Sequence, residues 1–199
     1  YASAAILVLA ISLLFILNQN SVETNYVSHN LKDGSEIALH ENSTLEVLKM
    51  DETVREVKVT GKAYFDIERD ETRPFIIHTD NAKIEVLGTS FVVKSSESTT
   101  EVCVESGLVE ISKRTTNSDA VSVKLKKGEM GLVSNNNKGI IKRNNNDLNY
   151  LAWKTKIITF DGSTMAEVEQ VLEDVYGIDV SFENPTFKSC KLTAKFNKK

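Results

Sequence analysis

The side chains that could carry chemistry are few and scattered. His29, His40 and His78 share no spacing that would bring imidazoles onto a metal, so they read as ordinary strand or turn residues. Cys103 and Cys190 lie far apart and add no zinc pattern; a disulfide is open to them, two unpaired residues are the simpler reading. Glu101 and Glu105 flank Cys103 on one strand face, which suits a solvated face better than an acid–base pair. Asp66 and Glu68 alternate with Phe65 and Ile67 as the polar side of a strand does. A hydrolase would need a converging nucleophile, base and orienting group, and none stands out. With 24 Lys+Arg against 28 Asp+Glu, the net charge of −4 leaves no basic excess for phosphates. The expectation is a protein without cofactor, metal or nucleic-acid partner, and not an enzyme.

The elements that must position these residues fall into three stretches. No charge precedes Glu23, and Ala2 to Leu17 is apolar apart from two serines. As a helix that stretch spans roughly 24 Å at about 1.5 Å per residue, against a hydrocarbon layer of about 30 Å. A signal peptide would show a basic segment and a small-residue cleavage site, and a core helix would show a polar face. Neither is present. Residues 1–19 are therefore expected to form a transmembrane helix, with Tyr1 an interfacial aromatic and further residues upstream of it.

Residues 26–143 alternate apolar and polar positions with period two, as half-buried strands require. Ile37 with Leu39, Val57 with Val59, Phe65 with Ile67, Ile84 with Val86, Val102 with Val104 and Val109 with Ile111 carry the pattern. Asp33-Gly34, Gly61, Ser106-Gly107 and Lys127-Gly128 punctuate it. About a dozen short strands are predicted. Gly34, Gly61, Gly88, Gly107 and Gly128 recur at roughly even intervals, which suits a solenoid-like or stacked-hairpin β-lobe. A sandwich or jelly roll stays open.

A polar linker, residues 144–150, leads to a lobe over 151–199 with another periodicity. Lys156 to Phe160 reads as a strand and Asp161-Gly162-Ser163 as a turn. Thr164 to Glu167 is a capping box, in which hydroxyl and carboxylate satisfy free amides at a helix start. Met165, Val168, Val171, Leu172 and Val175 make one apolar helix face, and Gly177 can end it in a left-handed turn. Ile178, Val180 and Phe182 are predicted as a second strand, and Leu192, Ala194 and Phe196 as a third. The fold class expected is mainly β, with a small α/β strand–helix–strand C-terminal lobe, and the chain reads as a piece of a longer protein.

Several segments occur in an order that carries a resemblance. They are Leu31-Lys32-Asp33-Gly34-Ser35, Val59-Thr60-Gly61-Lys62-Ala63-Tyr64-Phe65-Asp66-Ile67 and Arg73-Pro74-Phe75. Val86-Leu87-Gly88-Thr89-Ser90-Phe91, Val104-Glu105-Ser106-Gly107-Leu108 and Leu125-Lys126-Lys127-Gly128-Glu129 follow. The series resembles the periplasmic domain of FecR-type transmembrane anti-sigma factors, and with Trp153, Phe160 and the Glu167–Tyr176 helix it is similar to the Bacteroidetes arrangement. The resemblance implies an inner-membrane, single-pass protein whose residues after about 20 lie in the periplasm. Its implied partners are the signalling domain of an outer-membrane TonB-dependent transporter and, through a cytoplasmic segment outside this chain, an extracytoplasmic-function sigma factor. It also implies a C-terminal lobe like the short N-terminal modules of secretins and TonB-dependent transporters.

Partner docking is expected on the region from Lys154 to Phe196, where open sheet edges invite strand addition. Some members of the family cleave themselves at a Gly–Thr bond, and Gly88-Thr89 matches that motif: a Thr hydroxyl could attack the preceding carbonyl. The plainer reading is that Gly88 permits close backbone approach and Thr89 suits a strand. A function of another class, an envelope-anchored binding or assembly protein without sigma-factor control, fits the same composition.

Overall fold

A computed structural model describes residues 26–114 and 121–197. The expected transmembrane segment, 1–19, lies outside the described residues. Among those described, no helix is long and apolar enough to cross a membrane.

Twelve strands form the larger unit. The first six are β1 (Tyr26–Asn30), β2 (Glu36–His40), β3 (Thr44–Met50), β4 (Arg55–Asp66), β5 (Phe75–His78) and β6 (Ala82–Val86). Then come β7 (Ser90–Ser95), β8 (Thr99–Ser106), β9 (Leu108–Lys113), β10 (Ser122–Lys126), β11 (Glu129–Ser134) and β12 (Ile140–Asn144). The number agrees with the dozen or so expected from the alternation, but the Val57–Val59 and Ala63–Asp66 runs, expected to be divided at Gly61, form the single strand β4.

They make two layers that share β4. Its C-terminal half pairs with β2 and β7, which gives a first layer in the order β1-β2-β4-β7-β8-β11-β12. Its N-terminal half pairs with β3 and β5, which gives a second layer, β3-β4-β5-β6-β9-β10. All pairs are antiparallel except β4 with β5. The regular glycines acquire a meaning in this topology. Gly61, Gly88, Gly107 and Gly128 each sit where the chain passes from one layer to the other. Gly61 is the bend inside β4: its φ is +91°, and a Cβ there would collide with Ser43. The layers stack on a common core that includes Ile37, Phe65, Phe75, Phe91, Ile84, Ile111 and Leu125, all fully buried. Phe65 and Phe91 stack at 5.3 Å. Burying each such side chain stabilises the fold by about 1.5–3 kcal/mol.

The smaller unit holds a one-turn helix α1 (Ala152–Thr155), β13 (Ile157–Thr164), α2 (Met165–Tyr176) and β14 (Lys191–Asn197). Thr164 and Glu167 form the predicted capping box, and Gly177 closes α2 at φ +65°. Ile158, Phe160, Met165, Val168, Leu172 and Val175 make its core.

Two expectations fail here. Ile178 to Phe182 is not a strand: Val180 and Phe182 do pack on the core, but the backbone joins no ladder. Alternation reports a half-buried extended segment, and pairing is a separate requirement that β14 meets instead by lying directly against β13. Asp161-Gly162-Ser163 is not a turn either. β13 continues through it with a bulge between Phe160 and Ser163, and Gly162 N–H donates to Thr193 Oγ1 at 2.9 Å.

Candidate functional site

The site begins with the register of the first layer. Ala38, Tyr64, Val92, Cys103 and Met130 stand opposite one another across β2, β4, β7, β8 and β11, on the face turned away from the main core. This apolar row is buried because Trp153 of α1 lies on it, itself wholly enclosed. The Tyr26 and His40 rings meet the indole edge-on at 5.8 and 5.2 Å, and the Lys62 ammonium stands 5.5 Å from its ring centre. Lys154 Nζ lies 4.4 Å from the Tyr64 ring centre. Burial pushes the Tyr150 phenol up to about 12, with help from the Glu105 charge.

Two residues further along the same strands runs a row of Lys62, Lys94 and Glu101, polar until it ends on Leu132. It floors an open cavity of about 480 Å³ between the two units, walled by the β2–β3 turn and by Asp174 at the end of α2. Lys62 Nζ lies 2.5 Å from Asp174 Oδ2, and His40 Nε2 is 3.3 Å from Asp174 O. His40 is a strand residue, the last of β2, and is in addition part of the junction between the units.

The outer edges of the small sheet differ. The side-chain amide of Asn149 brackets Thr159, accepting from its N–H at 2.8 Å and donating to its carbonyl at 2.9 Å. Thr159's peptide groups therefore face away from β14, and Asn149 closes that edge of β13. The outer edge of β14 has no ladder partner among the described residues. Thr159 stands opposite Lys195, so the Lys195 N–H faces outward as well.

Comparison with known proteins agrees with this two-part organisation. The family model described as "FecR protein" matches residues 20–110, and that described as "FecR, C-terminal" matches residues 157–199. The chain belongs to the FecR family. Two crystal structures, at 1.65 and 2.50 Å, of a candidate anti-sigma factor from Parabacteroides distasonis ATCC 8503 are similar to it, with TM-scores of 0.64 and 0.62. Each is 25% identical, and the alignment covers 88% of this chain and 82% of the other. No curated protein gives a match.

Within this FecR-family chain, the Gly–Thr pair sits at a crossing between layers. A Cβ on Gly88 would lie 2.5 Å from Arg69 Cα, so close backbone approach accounts for the glycine. Thr89 is buried; its Oγ1 donates to Leu108 O at 3.0 Å, and its N–H and carbonyl pair with Ile67. Cys103 and Cys190 are both free thiols, the first buried under Trp153 and the second exposed. No group of His, Cys, Asp or Glu among the described residues could hold a metal.

A buried pair that sequence reasoning passed over lies beneath the β1–β2 turn. Arg55 donates to Asp33, to Glu68 O and, through two nitrogens, to Arg73 O. It ties the turn to the start of β5. The clue was there in Asp33-Gly34: a turn carboxylate with a cation at the start of a strand.

Proposed function

We propose that this protein is the sensor portion of an anti-sigma factor. It relays a signal from the signalling domain of a TonB-dependent transporter to an extracytoplasmic-function sigma factor. In this reading Ala2 to Leu17 crosses the inner membrane, and residues after about 20 lie in the periplasm. The sigma factor is held by a segment outside this chain. FecR family membership and the similarity to the Parabacteroides structures support the regulatory role. The apolar, charge-free start of the chain supports the anchor.

The observation that carries the docking assignment is the asymmetry of the small sheet, closed on β13 by Asn149 and open on β14. An unpaired strand edge binds an extended partner strand through main-chain hydrogen bonds. Lys191 and Lys195 on β14 would favour an acidic strand. Lys195→Pro tests it, because it removes an outward N–H without removing a bond to β13. In a pull-down with transporter signalling domains, the variant is expected to bind at least about tenfold more weakly, a difference of about 1.4 kcal/mol. Unchanged affinity would place the docking surface elsewhere.

A further inference from the structure

The junction between the two units joins parts of unlike character. Trp153 is a hydrophobic plug, seated on the five-residue apolar row and fully buried. Asp174 is a polar clasp: its carboxylate, about two-fifths exposed, reaches Lys62 across the cavity, while its main-chain carbonyl meets His40 Nε2, so a substitution at Asp174 removes the Lys62 half alone. The plug and the clasp lie on different elements, α1 and α2, with β13 between them.

Two features mark the clasp as the weaker part. Asp174 stands in the last turn of α2, where the carbonyl end of the helix disfavours a carboxylate; that turn holds no basic residue, and the Lys156 ammonium at this end donates to the Val175 carbonyl at 3.1 Å. Its position suits the helix poorly and suits the junction well, a local conflict of the kind found where an element serves more than its own stability. An ion pair reached by solvent is also readily exchanged for water or for another partner. The plug, by contrast, can leave only by exposing the whole apolar row.

We propose that the junction is a two-part latch: Trp153 is a fixed pin, and the Asp174 clasp on Lys62 and His40 releases so that the α2 end of the small lobe can swing about it. If the relay described above is correct, a strand added to β14 would act on a lobe already able to move. The latch is a property of the free chain and stands apart from that relay.

The exposed Cys190 supplies a labelling site on the small lobe, and the buried Cys103 is shielded. Spin labels on Cys190 and on a Ser98→Cys variant in the exposed β7–β8 turn report the distance between the units in the full chain. The unaltered protein is expected to give one narrow distance distribution. Asp174→Ala broadens it about twofold or more and Asp174→Lys, which repels Lys62, shifts its centre outward. The emission maximum of Trp153, the chain's one tryptophan, stays well short of that of the urea-unfolded chain in both variants, any small shift reporting only the Lys62 ammonium beside the indole. Distributions that superimpose on that of the unaltered chain would overturn the proposal. So would broadening accompanied by a shift of Trp153 emission to that of the urea-unfolded chain, because the pin would then not be fixed. No partner is present in the measurement, so its failure and that of the relay are separate results.

Discussion

Arg55 and Asp33 form a buried pair: Nη1 of the guanidinium donates to Asp33 Oδ2 at 2.7 Å, with the Arg55 side chain wholly enclosed and that of Asp33 nearly so. The remaining guanidinium nitrogens are spent on the Arg73 carbonyl, at 3.0 and 2.8 Å. Arg55→Ala strips the buried carboxylate of its cation, leaving it only the Ser35 amide and hydroxyl, and takes the guanidinium donors from the Glu68 and Arg73 carbonyls, so it is expected to cost about 3–5 kcal/mol in urea unfolding. Arg55→Lys should recover little of this, because an ammonium cannot reach three directions from one rigid plane.

The same pair makes the fold acid-sensitive. Burial pushes the Asp33 carboxyl up, but hydrogen bonds from Arg55 and Ser35 outweigh it and hold the group below its ordinary value of 3.8. The Thr53 hydroxyl and amide lower Asp51, and the Thr72 hydroxyl with Arg73 lowers Asp70. A carboxyl depressed in the folded state gives stability that is present above its unfolded pKa and lost as pH falls through the folded one. Unfolding free energy should therefore be level near neutrality and fall below about pH 4. Asp33→Asn is expected to be less stable at pH 7 and to show a shallower acid slope.

Trp153→Ala should lower stability by about 3–5 kcal/mol, since it empties the seat over Tyr64, Val92 and Cys103. Trp153→Phe keeps most of the contact and should lose less than half as much. Hydrogen exchange at Val92 and Cys103 reports whether the loss is local to that row.

Gly88→Ala forces the Arg69 backbone to move and is expected to cost about 1–3 kcal/mol. Thr89→Ala removes one buried hydroxyl bond to Leu108 O, a loss of about 1 kcal/mol. Gel electrophoresis of the intact protein is expected to show one band. Two fragments divided at Gly88-Thr89, absent from Thr89→Ala, would instead assign self-cleavage.

Burial and the nearby Glu101 and Asp147 charges push the Cys103 thiol up to about 12, so its thiolate is scarce at neutral pH. A disulfide reagent at pH 8 should titrate one thiol, Cys190, in the folded protein and two in guanidinium.

Much of this architecture was legible in the residues. Alternation located the strands, and Thr164, Glu167 and Gly177 bounded α2, because periodicity and caps are local properties. The covered outer face was also written in the sequence, but in a form that a period-two reading discards. Ala63-Tyr64-Phe65, Phe91-Val92-Val93 and Val102-Cys103-Val104 are apolar at every position, as strands buried on both faces must be. The clasp was not legible. Lys62 and Asp174 are 112 positions apart, and nothing near Asp174 marks it as other than a surface helix residue. Ile178 to Phe182 shows the converse: a correct burial pattern in a segment whose backbone pairs with nothing.

The shared strand β4 has a mechanical consequence. Because one continuous twelve-residue segment serves as a rib of both layers, neither can be peeled away while the other stays whole. Tension applied at β1 or β12 must pass through that rib, so this unit should yield to force in a single step. An object built this way can carry a pull from one end to the other without paying it out in slack.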